Sequence, residues 1–251
     1  MARDGYLWNA GEDTIHLTKK EQAPLTPREK RKNFWYYHKF HILIAILCAA
    51  VLGWTVYVFV SQVSPDYQIA FVTVDDYPDT VIRQMEEQIS TIAEDRNGDG
   101  QVVVRINYYH MLPEDTADAN AYLANAAKFQ GDIAVGESML FLIDDECLTN
   151  FCTGNAGLFT YKDGSTPSHD ATDLENLGRK WTEFPFLANM VLEGQAMTES
   201  GDIITTDYQK LIGDINVCMR AVPNSNLEGR ADKIKDNEDA WALLHRFEDA
   251  S

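Results

Sequence analysis

The chain has 251 residues, 24% of them charged, with a formal net charge of −18. A balance of that sign repels nucleic acid and anionic polymers and attracts cations, which excludes a nucleic-acid-binding role. The charge is uneven: of 21 basic and 39 acidic residues, residues 1–41 hold 8 and 5, and the other 13 and 34 give the remainder a net charge of −21.

Residues 1–26 are polar and aperiodic and read as a cytoplasmic tail without fixed structure. Thr26-Pro27-Arg28-Glu29 fits a helix start, with Thr as cap and Pro in the first turn. A basic and aromatic run follows, and then residues 42–60, ILIAILCAAVLGWTVYVFV, which carry no charge. A helix needs about 20 apolar residues to cross a hydrocarbon layer ~30 Å thick. Phe34, Trp35, Tyr36, Tyr37 and Phe40 precede the run, and Trp54, Tyr57 and Phe59 lie in its second half, where amphipathic rings suit the lipid interface. A cleaved signal peptide is disfavoured by the long segment before the run and the lack of an A-x-A site after it. A lipoprotein cysteine is disfavoured because Leu47 precedes Cys48. The run therefore reads as a permanent signal anchor in contact with the bilayer through residues 42–60.

Lys19, Lys20, Arg28, Lys30, Arg31, Lys32 and Lys39 precede the span, and the next basic residue is Arg83. By the positive-inside rule the tail is cytoplasmic and the mass beyond the span is extracellular. The expected layout is a tail over 1–33, a juxtamembrane and transmembrane helix over 34–62, and an extracellular domain over 66–251. About 190 residues suffice for one domain with a real core and are too few for two full-sized lobes.

Residues 67–74, YQIAFVTV, read as a buried strand. Val81, Met85, Ile89 and Ile92 recur at helical spacing over 81–94, with Asp79 or Thr80 as cap and Gly98 and Gly100 as the stop. Residues 102–109 read as a second strand, so strand, helix and strand suggest a right-handed parallel crossover. Residues 113–130 are Ala-rich and helical in pattern. Residues 131–135 and 139–143 read as two short strands, or one interrupted at Gly136. Residues 144–151 suggest a helical turn, 152–169 a loop with a hairpin, and 173–181 and 184–190 helices. Residues 214–222 alternate as a strand, 224–237 are a polar excursion, and 239–248 form an amphipathic helix. The expected fold is α/β: one transmembrane helix followed by a single extracellular domain with a mixed, mostly parallel sheet. Cys147, Cys152 and Cys218 form no disulfide framework and read as free or buried thiols, the alternative being a Cys147–Cys152 bridge that leaves Cys218 over.

Two acidic constellations suggest chemistry. Asp95-Arg96-Asn97-Gly98-Asp99-Gly100-Gln101 matches the first half of a calcium loop. Asp95, Asn97 and Asp99 stand at ligand positions 1, 3 and 5, Gly100 at the turn, and Gln101 offers a carbonyl. Position 12 is Ile106, so a further carboxylate for Ca2+ has to come from Glu94, Asp115 or Asp118. The alternative is a Gly-rich turn leading into a strand. The second constellation is Asp75 and Asp76 after one strand, with Asp144, Asp145 and Glu146 after another; in α/β sheets ligands gather beyond the carboxyl ends of strands. Its alternative is the ordinary use of Asp at strand ends and helix caps. Gly136-Glu137-Ser138-Met139-Leu140 is a near miss to G-x-S-x-G, lacking the second Gly.

The juxtamembrane motif Thr26-Pro27-Arg28-Glu29-Lys30 … Asn33-Phe34-Trp35-Tyr36-Tyr37-His38-Lys39, the single span and the acidic turn resemble a group of uncharacterised single-pass membrane proteins of anaerobic Gram-positive bacteria. The resemblance implies a surface location. Residues 126–151 are also similar to part of the first lobe of extracellular solute-binding proteins, although the chain lacks the length for a normal second lobe. The leading functional expectation is a membrane-anchored binding or assembly domain, calcium-stabilised through Asp95–Gln101. The alternatives are a surface hydrolase working in the acidic crevice, or a tethered solute-binding lobe of a transport system.

Overall fold

A computed structural model describes residues 26–61, 64–111, 119–197 and 203–250. The chain divides into two compact units between residues 62 and 63.

The first unit contains α1 (Pro27–Ser61). Thr26 and Glu29 close its first turn reciprocally: the Thr26 amide donates to Glu29 Oε2 at 2.9 Å, and the Glu29 amide donates to Thr26 Oγ1 at 3.4 Å. This is the capping box that the sequence motif suggests. Residues Pro27–Val58 of this helix are long and apolar enough to cross a membrane, and none of the apolar stretch is buried within the protein. The Thr55 hydroxyl donates to Val51 O at 2.8 Å, so this polar side chain is satisfied within the helix itself, as a lipid environment requires.

The second unit is built on a five-stranded sheet in the order β2-β1-β3-β7-β4. The strands are β1 (Tyr67–Thr73), β2 (Val104–His110), β3 (Leu140–Ile143), β4 (Arg179–Lys180) and β7 (Asn216–Met219). β1 pairs in parallel with β2 (Phe71 opposite Tyr108) and with β3 (Val72 opposite Ile143). β7 runs antiparallel to β3 and to β4. The mixed, mostly parallel sheet matches the sequence reading. Alternation along β1 sends Tyr67, Ile69 and Phe71 to one face and Ala70 and Val72 to the other, and both faces are covered. On the first face lie α2 (Asp79–Ser90), through Val81, Met85 and Ile89, and α6 (Ala231–Asp249), through Leu243, Leu244 and Phe247. On the second lie α3 (Ala119–Val135), through Phe129, and α4 (Asp145–Cys152), through Cys147, Leu148 and Cys152. A strand covered on both faces needs no polar side, which is why residues 67–74 read as continuous apolar sequence.

Several elements differ from the expectation. Residues 131–135 belong to α3, which runs through Gly131 and stops where Gly136 turns to φ +69°. There the amides of Gly136 and Glu137 donate to Asp132 O at 2.7 and 3.2 Å. The span 173–181 is a 3₁₀ turn at Leu174–Asn176 followed by β4, because Lys180 pairs across to Asn216 and local helical pattern yields to the sheet edge. The helix after β1 ends at Ser90, before Gly98, and α6 begins at Ala231 inside the polar excursion. The region 184–190 holds only a short helix, α5 (Pro185–Ala188).

A hairpin absent from the sequence reading, β5 (Glu193–Met197) with β6 (Ile203–Asp207), forms a separate two-stranded sheet. Two side-chain amides of α2 hold the backbone at the start of β5 and just before it as a ladder would. The Glu193 amide donates to Gln84 Oε1 at 2.8 Å and Gln84 Nε2 to Glu193 O at 3.0 Å. The Val191 amide donates to Gln88 Oε1 at 3.1 Å and Gln88 Nε2 to Val191 O at 2.8 Å.

Candidate functional site

Because β1 and β3 are parallel neighbours, their carboxyl ends bring Asp75, Asp76, Asp144 and Asp145 to one end of the sheet. Asp144 is committed to backbone: it accepts from the Val74 amide at 2.6 Å and, as cap of α4, from the Cys147 amide at 2.6 Å. Asp145 accepts from Lys180 Nζ at 2.7 Å and from Asn216 Nδ2 at 2.7 Å. Burial works against its charge, but the bonds from Asn216 and Lys180 outweigh that and hold the carboxyl below its ordinary value. Tyr108 OH donates to Asp75 O at 3.0 Å and stands 3.3 Å from Asp76 Oδ1, and His110 Nδ1 is 3.7 Å from Asp76 Oδ1. Each carboxylate with a partner here ties down a chain turn or answers a cation, which is the structural use of Asp at such ends.

The acidic turn is closed by its own amides. Asp95 accepts from Gly98 N at 2.6 Å and from Gly100 N at 2.8 Å; Asn97 Oδ1 accepts from Asp99 N and Asp99 Oδ1 from Gln101 N, both at 2.8 Å. Gly98 and Gly100 supply the left-handed backbone (φ +74° and +84°) that this winding needs. Beneath it lies Asp66, a buried anchor that sequence reasoning missed. It accepts from the amides of Arg96 (2.8 Å), Asn97 (3.1 Å) and Val103 (2.8 Å). Arg96 in turn donates to Asp239 at 2.6 Å and Asp236 at 2.9 Å on α6. Calcium takes six to eight oxygens. Among the described residues no group of three or more His, Cys, Asp or Glu is arranged to hold a metal, and the side chains of Asp95, Asn97 and Asp99 are engaged by the turn's own amides. Glu94 is paired with Arg246, and Asp115 and Asp118 lie outside the described residues.

Ser138 is not an exposed nucleophile. It is fully buried, its hydroxyl donates to Asp132 Oδ2 at 2.6 Å, and its amide donates to Asp132 Oδ1 at 2.7 Å. Tyr109 OH donates to the same Asp132 Oδ2 at 2.8 Å. Cys147, Cys152 and Cys218 are free and buried, and burial pushes the Cys152 thiol up to about 12.

At the opposite end of the sheet, beyond Met219 of β7, the chain reaches Arg220, which is 3% exposed. Its amide donates to Met139 O at 2.9 Å, which fixes the backbone beside the start of β3. Its Nη1 donates to Leu158 O at 2.7 Å and Ala221 O at 3.1 Å, its Nη2 to Asn226 Oδ1 at 3.2 Å, and its Nε has no partner. Arg220 lines a cavity of about 550 Å³ together with Asn155, Ser168, His169, Asn224 and Asn226. Sequence analysis passed over it because an Arg after a strand is ordinarily a solvated one.

Comparison with known proteins found no matching family model, no matching curated protein and no matching solved structure.

Proposed function

We propose that the chain is a single-pass membrane protein that holds a basic tail in the cytoplasm and displays its acidic α/β domain outside the cell, where that domain acts by binding or assembly. The observation that carries this reading is α1. Its apolar stretch is buried against nothing in the protein. Eight basic residues precede residues 42–60, and the next basic residue is Arg83. The domain adds a reason to favour binding over hydrolysis. Ser138, the nearest approach to a nucleophile motif, is buried and bonded to Asp132, and the acids at the carboxyl ends of β1 and β3 serve caps and ion pairs. The test is a non-permeant protease added to intact cells expressing the chain with a tag at each end. The C-terminal tag is expected to disappear while the N-terminal one survives; protection of the C-terminal part would refute the orientation.

A further inference from the structure

In a chain of net charge −18, the cavity at Arg220 has no Asp or Glu among its lining residues. Its charged group is a guanidinium that is almost wholly buried and has no ion-pair partner among the described residues. A guanidinium has five N–H donors. Three are donated, to Leu158 O, Ala221 O and Asn226 Oδ1, which leaves the Nε–H and one Nη2–H. Nε is itself closed off from solvent, so what Arg220 can offer a solute is a single charge-assisted bond from Nη2 rather than a two-bond fork.

The carboxylate whose charge acts on Arg220, Asp132, makes no ion pair with it and already accepts three bonds from Ser138 and Tyr109. Burial pushes the Arg220 guanidinium down to about 10, which leaves it charged at neutral pH. A buried cation without an ion-pair partner is costly, and a bound anion beside the guanidinium would supply the missing charge.

We propose that this cavity binds a small carboxylate-bearing solute, with Arg220 Nη2 donating to the carboxylate and Asn155, Ser168 and His169 lining the space for the polar remainder. The volume is that of a small-molecule site. One cation calls for one negative charge; a dianion such as phosphate would leave net negative charge buried in an already acidic domain.

The test uses the full chain in detergent, with N-acetylglycine as probe, its neutral amide as control and inorganic phosphate as the dianion. Millimolar N-acetylglycine is expected to raise the melting temperature and to shift the ¹⁵N–¹H resonance of Arg220 Nε, with the amide and phosphate doing neither. Ser168→Trp, at an exposed position on the cavity lining, is expected to weaken binding about tenfold or more without changing the melting of the free protein. Arg220→Gln is expected to abolish binding. If that variant fails to fold, because two carbonyls lose their donor, the Nε resonance and Ser168→Trp still decide. Equal response to the amide, preference for phosphate, unchanged binding by Ser168→Trp, or no response at millimolar N-acetylglycine would each overturn the proposal.

Discussion

The apolar part of α1 and strand β1 are similar in composition and opposite in fate. In β1 every residue but Gln68 is buried, and the sheet, α2, α3, α4 and α6 supply the cover. In α1 fifteen large hydrophobic side chains from Phe34 to Val58 are exposed, Leu47 at 61% and Trp54 at 70%. Full burial of such a side chain is worth about 1.5–3 kcal/mol, so leaving this surface in water forgoes tens of kcal/mol. Patches of that size on soluble proteins mark interfaces, and a charge-free helical stretch of bilayer length is consistent with a lipid one. The difference teaches that the α/β domain is closed on itself, whereas the apolar surface of α1 finds no cover within the protein.

Substitutions sharpen that contrast. Phe71→Ala removes a fully buried ring packed against Tyr77 and Tyr108, and is expected to cost the domain about 3–5 kcal/mol in denaturant unfolding. Leu47→Ala, on the exposed helix, is expected to leave the same transition unmoved; comparable losses from both would break the contrast. Asp66→Ala leaves three backbone amides without their carboxylate and is expected to cost about 3 kcal/mol, read by the same unfolding curves.

Gly136→Ala forces a left-handed backbone on a residue with a Cβ, which would stand 2.7 Å from the flexible Leu227 Cδ1. A loss of about 1–2 kcal/mol is expected, with α3 otherwise intact by circular dichroism.

A smaller effect follows from Asp236. Burial opposes its charge, but bonds from Lys233 and Arg96 prevail and hold the carboxyl below its ordinary value. A carboxylate lowered in the folded state stabilises the protein above the unfolded pKa of about 4 and gives that up as pH falls through the lowered value. Asp236→Asn is therefore expected to flatten the acid limb of the stability curve below about pH 4 and to leave its shape near neutrality unchanged. Smallest of all is the response to calcium. The turn at Asp95–Gln101 is closed by its own amides, so millimolar calcium is expected to leave the melting temperature where it is. A calcium-dependent rise would return the ion to Asp95, Asn97, Asp99 and Gln101.

What could be read from sequence followed how local the deciding force was. The charge-free run, the Thr26–Glu29 cap and the apolar strand at 67–74 are recorded in adjacent residues, and all three stand in the structure. The crossover through β1, α2 and β2 was equally legible, because both periodicities are clean. The hairpin of β5 and β6 escaped because distant amides of Gln84 and Gln88 hold it in place. β4 escaped because its two residues are strand only through their pairing with β7. At the sites, carboxylates drew attention by their number, and the structure gives most of them partners at caps and turns. Arg220 was illegible because its interest lies in what it lacks, and a missing counterion is visible only once the surrounding side chains have coordinates.

The most direct test of the tether is extraction of native membranes from cells expressing the full-length chain. A lipid-spanning α1 keeps the chain in the pellet through alkaline carbonate and high salt and releases it only with detergent. Recovery of the intact, full-length chain from the soluble fraction without detergent would contradict it.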